Sequence, residues 1–486
     1  MQYYAVMKAA VMYIELHIEQ PKVDINDFEQ ALGFSYAHIR DIFQKATGYP
    51  LVRYVQIRKI MNSMFDLLYT RDRVLDIAVK YGFMNHETYT RTFRRITGIT
   101  PMEYRKLRPH TSVEELYDGV YGINLQNVKG STTIGKANGN RQGIETVLFG
   151  IPKIEHGEQG LTPYPMCLKS VSNYLGEDVD YPFIMAASGA AFRLTWDISC
   201  WNMGNVDVSN TFDEEEYVYQ VGAKALGRKL EKLERTQKTT KEEFKQFIKS
   251  HIDRGFPCIA LGIIGPPEAG IITGYQKDGD ILMGWNFYQE DPIFGGDVQL
   301  AENGYYICDN WWENTDTKAV FCMGEKNEKP ICTKEILQNA VKILDGHQYG
   351  SYKKGLFAYD GWADALMNEK EFQDTSNLSL MVEKLYTHDD AIICLLDGRR
   401  AASNYFKQLA STETEHHKEF IELSQIFHNT YKIVEQIAEV LGGGSNQKNL
   451  IQKFMEYDNR RRIISLIQKA KHSDEKALKI LKTVTL

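Results

Sequence analysis

The chain lacks any long apolar run. Nothing in its 486 residues approaches the roughly 18 consecutive apolar residues that cross a bilayer, so no membrane contact is expected. The N-terminus carries no basic, apolar and small-residue leader of the secretory kind. Seven cysteines are scattered with no CxxC pair, which argues against a zinc site and against a disulfide framework. Reduced thiols in a cytoplasm are expected instead. Histidine is missing between His251 and His347, which limits thiol chemistry in that stretch. His416 and His417 are adjacent, not spaced to chelate a metal from one helix face. No metal or cofactor is expected.

Net positive charge is also lacking, since the total is −7. Its distribution matters more. Residues 1–109 hold 16 Lys and Arg against 11 Asp and Glu, or +5, which leaves −12 for the rest. A basic module on an acidic body is the footprint of a protein that meets phosphate with one part only. The whole chain is 43% hydrophobic, enough for two to four globular domains.

Within the basic part a small unit occurs twice. Ile42-Phe-Gln-Lys-Ala-Thr-Gly48 returns as Thr92-Phe-Arg-Arg-Ile-Thr-Gly98, and each copy follows a Gly-Phe turn, Gly33-Phe34 and Gly82-Phe83. Short apolar helix patterns precede the turns, Phe28/Ala31/Leu32 and Val74/Ile77/Ala78. Helix, tight glycine turn and helix with a polar outer face make a helix-turn-helix. The spacing predicts two of them, joined by a long helix over 51–68, with Tyr3 to Ile18 packed beneath the first. Ser35 and Asn85 are the expected N-caps. Ile39, Ile42, Phe43 and Ala46 are the expected inner face of the first recognition helix. Tyr89, Phe93 and Ile96 play that part in the second.

These residues, closed by Thr97-Gly-Ile-Thr-Pro-Met-Glu-Tyr-Arg105, resemble the tandem helix-turn-helix DNA-binding domain of the AraC/XylS family of bacterial transcription regulators. The resemblance covers residues 1–109. It implies that Ala37, Arg40 and Asp41 read base edges from the first helix, and His86, Glu87 and Arg91 from the second. Arginine can bond guanine bidentately, and Asp or Glu can accept from cytosine. Tyr36 and Thr88 share these outer faces. Gln44, Lys45, Arg53, Arg94, Arg95 and Arg105 are expected at phosphates. The partners implied are promoter or operator double-stranded DNA and RNA polymerase, with the protein a monomer or a homodimer. The family's usual order is reversed here, because the DNA-binding domain comes first.

Residues 110–150 read as a glycine-rich linker. Beyond them a helix from Cys167 to Leu175, a helix over 180–187 and another over 241–252 precede strands at 257–264, 270–275, 280–287 and 318–323. A Lys277-Asp-Gly279 hairpin turn joins two of the strands. Residues 151–330 resemble the papain-like α+β fold of C39-type peptidases and BtrH-like proteins. The histidine that such a thiol enzyme needs as base is replaced by Glu268. A degenerate, non-enzymatic sensor is therefore expected. Its cleft is expected to hold an apolar or cationic aromatic effector between Cys167, Phe192, Trp196, Glu268, Trp285, Tyr288 and Trp312. Helices at 334–344, 360–367, 378–385, 389–410, 414–440, 447–457 and 460–481 make residues 331–486 an all-α cap. Tyr349, Tyr352, Tyr359 and Arg399 are its candidate contributions to the cleft. Two other readings stand open: a bifunctional protein whose Cys167 keeps acyltransferase or amidase activity, and a DNA-binding protein without a ligand.

Overall fold

The computed structural model describes residues 10, 13–14, 17–20, 23–47, 50–69, 72–97, 100–107, 145–148, 150–157, 160–202, 204–214, 216–291, 294–295, 298–301, 303–372, 378–442 and 450–485, with the side chains of 42, 44–47, 65, 68–69 and 107 outside the description. Most of the expected linker, and Tyr3, Val6 and Met7, therefore lie outside the described residues.

The described elements of the N-terminal module are helices: α1 Ile25–Leu32, α2 Tyr36–Thr47, α3 Leu51–Tyr69, α4 Val74–Lys80, α5 His86–Thr97 and α6 Pro101–Leu107. Asp24 caps α1 by accepting from the amides of Asn26 and Asp27. The two turns pass through Gly33 and Gly82 at φ 70° and 73°, a left-handed conformation that side chains with a Cβ resist. Across the first turn the Tyr36 amide donates to Glu29 Oε1 at 2.6 Å, fixing α2 on α1. Phe28, Ile39, Phe43, Ile77, Tyr89 and Phe93 form one buried core with Tyr13 and Ile14. Each such side chain contributes about 1.5–3 kcal/mol on burial. Arg105 departs from its expected phosphate role. Its guanidinium donates to the carbonyls of Leu67 and Asp72 at 3.0 and 2.7 Å, pinning α6 to the end of α3.

The next region contains β1 Thr146–Val147, α7 Pro163–Tyr174, α8 Tyr181–Ala187, β2 Thr195–Asp197, α9 Tyr217–Ala225, β3 Arg228–Glu234 and α10 Lys241–Ile252. It continues with β4 Cys258–Leu261, β5 Ala269–Gln276, β6 Ile281–Trp285, β7 Gln299–Leu300, β8 Tyr306–Cys308 and β9 Ala319–Lys326. All of these strands but β2 form an antiparallel sheet in the order β3-β9-β4-β5-β6-β8-β7, with β1 on β5. Side chains alternate faces with period two. Ile259, Ile271 and Phe321 pack under α7 and α8, while Cys258, Ile272 and Cys322 pack under α10. Both faces are covered, which is why the central strands read as unbroken apolar runs.

The chain then forms α11 Thr333–Asp345, β10 Gln348–Tyr349, β11 Tyr352–Lys354, α12 Leu356–Met367, α13 Leu378–Thr412, α14 His417–Leu441, α15 Leu450–Met455 and α16 Tyr457–Val484. A small second sheet runs β10-β11-β2. The two helices expected at 378–385 and 389–410 are one helix of 35 residues. The polar stretch between them is buried: Thr387 Oγ1 donates to the Glu383 carbonyl at 2.8 Å, and His388 Nδ1 accepts from Trp362 Nε1 at 3.1 Å. Helix α13 packs along α14 and also against α1 of the N-terminal module.

The seam between cap and sheet domain is built at Asp397-Gly-Arg-Arg400. Asp397 accepts from Thr162 Oγ1 at 2.7 Å and from Tyr181 Oη at 2.5 Å. A Cβ on Gly398 would meet the Ala191 carbonyl oxygen at 2.8 Å, so glycine permits the close approach. Arg399 donates to that same carbonyl at 2.7 Å and pairs with Asp474 of α16 at 2.8 Å. Tyr359 Oη donates to Asp474 at 2.7 Å. Tyr359 and Arg399 are thus committed to the helical core and do not line a cleft.

Candidate nucleic-acid interface and the Cys167 neighbourhood

In α2 the helical period turns Ile39 and Phe43 inward and leaves Ala37, Arg40 and Asp41 exposed. Ser35 Oγ accepts from the His38 amide at 3.3 Å, as its place at the N-cap requires. Tyr36 corrects the expected outer face. Its ring meets Phe28 at 6.1 Å and is half-buried, so it belongs to the module's edge. Arg40 and Asp41 pair with each other at 3.0 Å. Gln44 and Lys45 lie on α2 with side chains outside the described set.

In α5 the Thr88 amide donates to the Asn85 side chain at 2.8 Å, capping the helix. His86, Glu87, Thr88, Arg91, Arg94 and Arg95 are all exposed, with Tyr89, Phe93 and Ile96 turned in. Arg91 pairs with Glu87 one turn earlier at 2.8 Å. Arg95 donates to Gln56 Oε1 of α3 at 3.2 Å. Gln56 was not among the expected phosphate-side residues, although it lies one turn along α3 from Arg53 and faces outward in the same way. The two faces therefore offer guanidinium, carboxylate and imidazole groups at the surface, with Arg40 and Arg91 each paired to a carboxylate.

The sheet domain departs from the expected single cleft. Helix α7 starts at Pro163, so Cys167 sits a full turn inside rather than at the N-terminus, out of reach of the free amides that would lower its pKa. Cys167 is fully buried. Burial pushes its thiol well above the ordinary value, and the Glu268 carboxylate pushes it further. Burial and Glu268 act in the same direction on Tyr288, so Cys167, Glu268 and Tyr288 share one neighbourhood.

The other expected members are dispersed. Phe192 packs between Phe406 and Phe427 of the cap at 6.3 and 5.9 Å. Trp196 joins Trp201 and Trp362 at 5.6 and 6.0 Å, in a different core. Trp285 stands edge-on to Tyr305 at 4.9 Å and donates to the Ile151 carbonyl at 2.9 Å. Trp312 lies across the sheet on the α10 face, with the Arg235 guanidinium 3.9 Å above its ring. Phe192 and Trp285 thus share the core of Cys167, whereas Trp196 and Trp312 belong to two other cores. Among the described residues no group of three or more His, Cys, Asp or Glu is arranged to hold a metal, and no helix is long and apolar enough to cross a membrane.

Residues 29–107 match the family model described as a helix-turn-helix domain. Over 116 residues the chain is 33% identical to the uncharacterized HTH-type transcriptional regulator YbfP of Bacillus subtilis (strain 168), covering 24% of this chain and 39% of that protein. It is 30% identical over 101 residues to the transposon Tn10 TetD protein of Escherichia coli, covering 21% of this chain and 72% of TetD. An HTH-type transcriptional regulator of Staphylococcus aureus is 32% identical over 97 residues, 20% of this chain and 13% of that protein. The chain thus spans well under half the length of YbfP and of the staphylococcal regulator. TetD is covered across most of its length, and with the paired helix-turn-helix units this places the chain, through its N-terminal module, in the AraC-type helix-turn-helix family.

Proposed function

We propose that the protein is a sequence-specific DNA-binding transcription regulator of the AraC/XylS type. The observation that carries this reading is the pair of exposed recognition faces, Ala37/Arg40/Asp41 on α2 and His86/Glu87/Arg91 on α5, on either side of the linker helix α3. Each face would enter a major groove, about one helical turn apart, which makes the target asymmetric and lets a monomer bind specifically. Gln44, Lys45, Arg53, Arg94 and Arg95 would meet phosphates. The test selects duplexes from a random pool with the full chain, then compares the selected and scrambled sequences by fluorescence anisotropy. Equal affinity for both would overturn the reading.

The body would act as a non-enzymatic, papain-like sensor in the cytoplasm, with the helical cap and RNA polymerase as its communicating partners. An antiparallel sheet crossed by the Cys167 helix supports the papain-like reading. The raised Cys167 thiol speaks against hydrolysis, since the thiolate is the nucleophile. An apolar or cationic effector beside Glu268 and Tyr288 would shift how α13 bears on α1, and so which arrangement of the two helix-turn-helix units is populated. A compound present at a hundred times its Kd adds about 2.7 kcal/mol of stability. A thermal-shift screen repeated on Glu268→Gln checks this: a shift that shrinks in the variant supports the sensor, and one that is unchanged removes Glu268 from the site.

A further inference from the structure

On the α10 face of the sheet, three side chains stand in one row across adjacent strands. Glu231 of β3 is the register partner of Cys322 in β9, and Cys322 is the register partner of Cys258 in β4. Directly opposite residues on antiparallel strands project to the same face with Cβ atoms about 4.5–5.5 Å apart. A disulfide takes a Cβ separation of about 3.5–4.5 Å, so joining the two cysteines needs only a small local approach. Helix α10 packs over the row and brings His251 from its last turn, buried. His251 Nε2 lies 3.7 Å from the Glu231 carboxylate, and Nδ1 has no hydrogen-bond partner. The Glu231 side chain is 47% exposed whereas both thiols are buried. The row therefore runs from solvent to interior, with Cys322 one residue in.

We propose that Cys322 and Cys258 form a hydroperoxide-oxidised dithiol, in which Cys322 is the attacked thiol and Cys258 resolves it into an intramolecular disulfide. Hydrogen peroxide is the oxidant because thiols 1% and 0% exposed exclude bulkier ones. The two thiols are also unequal. The neighbouring Cys258 thiol and then the His251 imidazole hold Cys322 below the usual thiol range, while burial pushes Cys258 up; the Cys322 thiol itself donates to the Pro257 carbonyl at 3.8 Å. The lower partner is the nucleophile. The Cys322 sulfur attacks one peroxide oxygen, the O–O bond breaks, and hydroxide leaves to take up a proton as water. Cys258 then loses its proton and attacks the resulting sulfenic sulfur. The S–S bond forms, the S–O bond breaks and a second water leaves. Two thiols are oxidised and one peroxide is reduced.

The test treats reduced full-length protein with hydrogen peroxide, then denatures it under an alkylating agent and maps the peptides. The expected product is a Cys258–Cys322 linked pair, with exposed Cys200 and Cys332 still alkylated. In Cys258→Ala, dimedone present during denaturation should label Cys322, and His251→Gln should slow loss of the Cys322 thiol about tenfold at neutral pH. Oxidation of Cys200 or Cys332 while Cys258 and Cys322 stay reduced would overturn the proposal, as would linkage of Cys322 to any other cysteine. The wild-type peptide map decides this even if a variant fails to fold.

Discussion

Arg40 and Arg91 meet the solvent as ion pairs, with Asp41 and Glu87. Exposed pairs are worth about 0–1 kcal/mol, so giving one up for a guanine edge costs little. Arg91→Ala is expected to weaken binding to a selected operator by about 1–3 kcal/mol and to relax preference at one base pair. Anisotropy on single-base variants of the operator measures both. A different residue governs acid stability. His388 is buried in the cap, where Nδ1 accepts from Trp362 Nε1 at 3.1 Å and Nε2 has no partner. Burial pushes it down to about 3, against about 6.5 in an unfolded chain. Below pH 6.5 the unfolded state takes up a proton that the folded state refuses. Stability from this group is therefore complete above pH 6.5 and falls by about 1.4 kcal/mol per pH unit as pH drops toward 3. Urea denaturation between pH 7 and pH 5 should show a shallower slope in His388→Gln than in wild type.

Helix α13 is the element on which the body depends, since it carries the Asp397 seam and reaches α1. Its junction with α16 is a buried pair, Arg399 with Asp474, 1% and 0% exposed. Thr430 also donates to Asp474 at 3.1 Å. Removing the carboxylate strands the guanidinium, so Asp474→Ala should cost about 3–5 kcal/mol, read as a lower urea midpoint. Gly398→Ala acts at the same seam by steric means. The added Cβ forces α13 off the Ala191 carbonyl, for about 1–3 kcal/mol. A melting temperature equal to wild type would show that the helix shifts freely there. Sequence reading divided α13 at 386–388 because buried polar residues break the apolar period. Only their tertiary partners reveal that the helix continues.

For the whole molecule the charge split sets the binding physics. A module of +5 on a body of −12 concentrates phosphate attraction on one part and discourages contact through the rest. Affinity should fall steeply with salt through counterion release. Arg94→Ala should weaken selected and scrambled duplexes alike and reduce the slope of log affinity against log salt by about one. Titrations at three or more salt concentrations check this, and an unchanged slope would take Arg94 off the phosphate backbone.

The sequence alone determined the N-terminal module, because its information is local. Gly33 and Gly82 set the turns, Ser35 and Asn85 set the caps, and a 3.6-residue period sets the inner faces, all within a few positions of each other. Helix α10 over 241–252 and the β5–β6 hairpin at Lys277–Gly279 were legible for the same reason. Strand β3 was not, since Arg228-Lys-Leu-Glu-Lys-Leu-Glu234 is mostly charged and becomes a strand only by pairing with β9. Tertiary structure alone decided which aromatic rings share a core, that Arg105 is a backbone pin, and that Glu231, Cys322 and Cys258 stand in one row. Those relations are set by strand register and by packing of both sheet faces, which join residues far apart in the chain and leave no periodic trace along it.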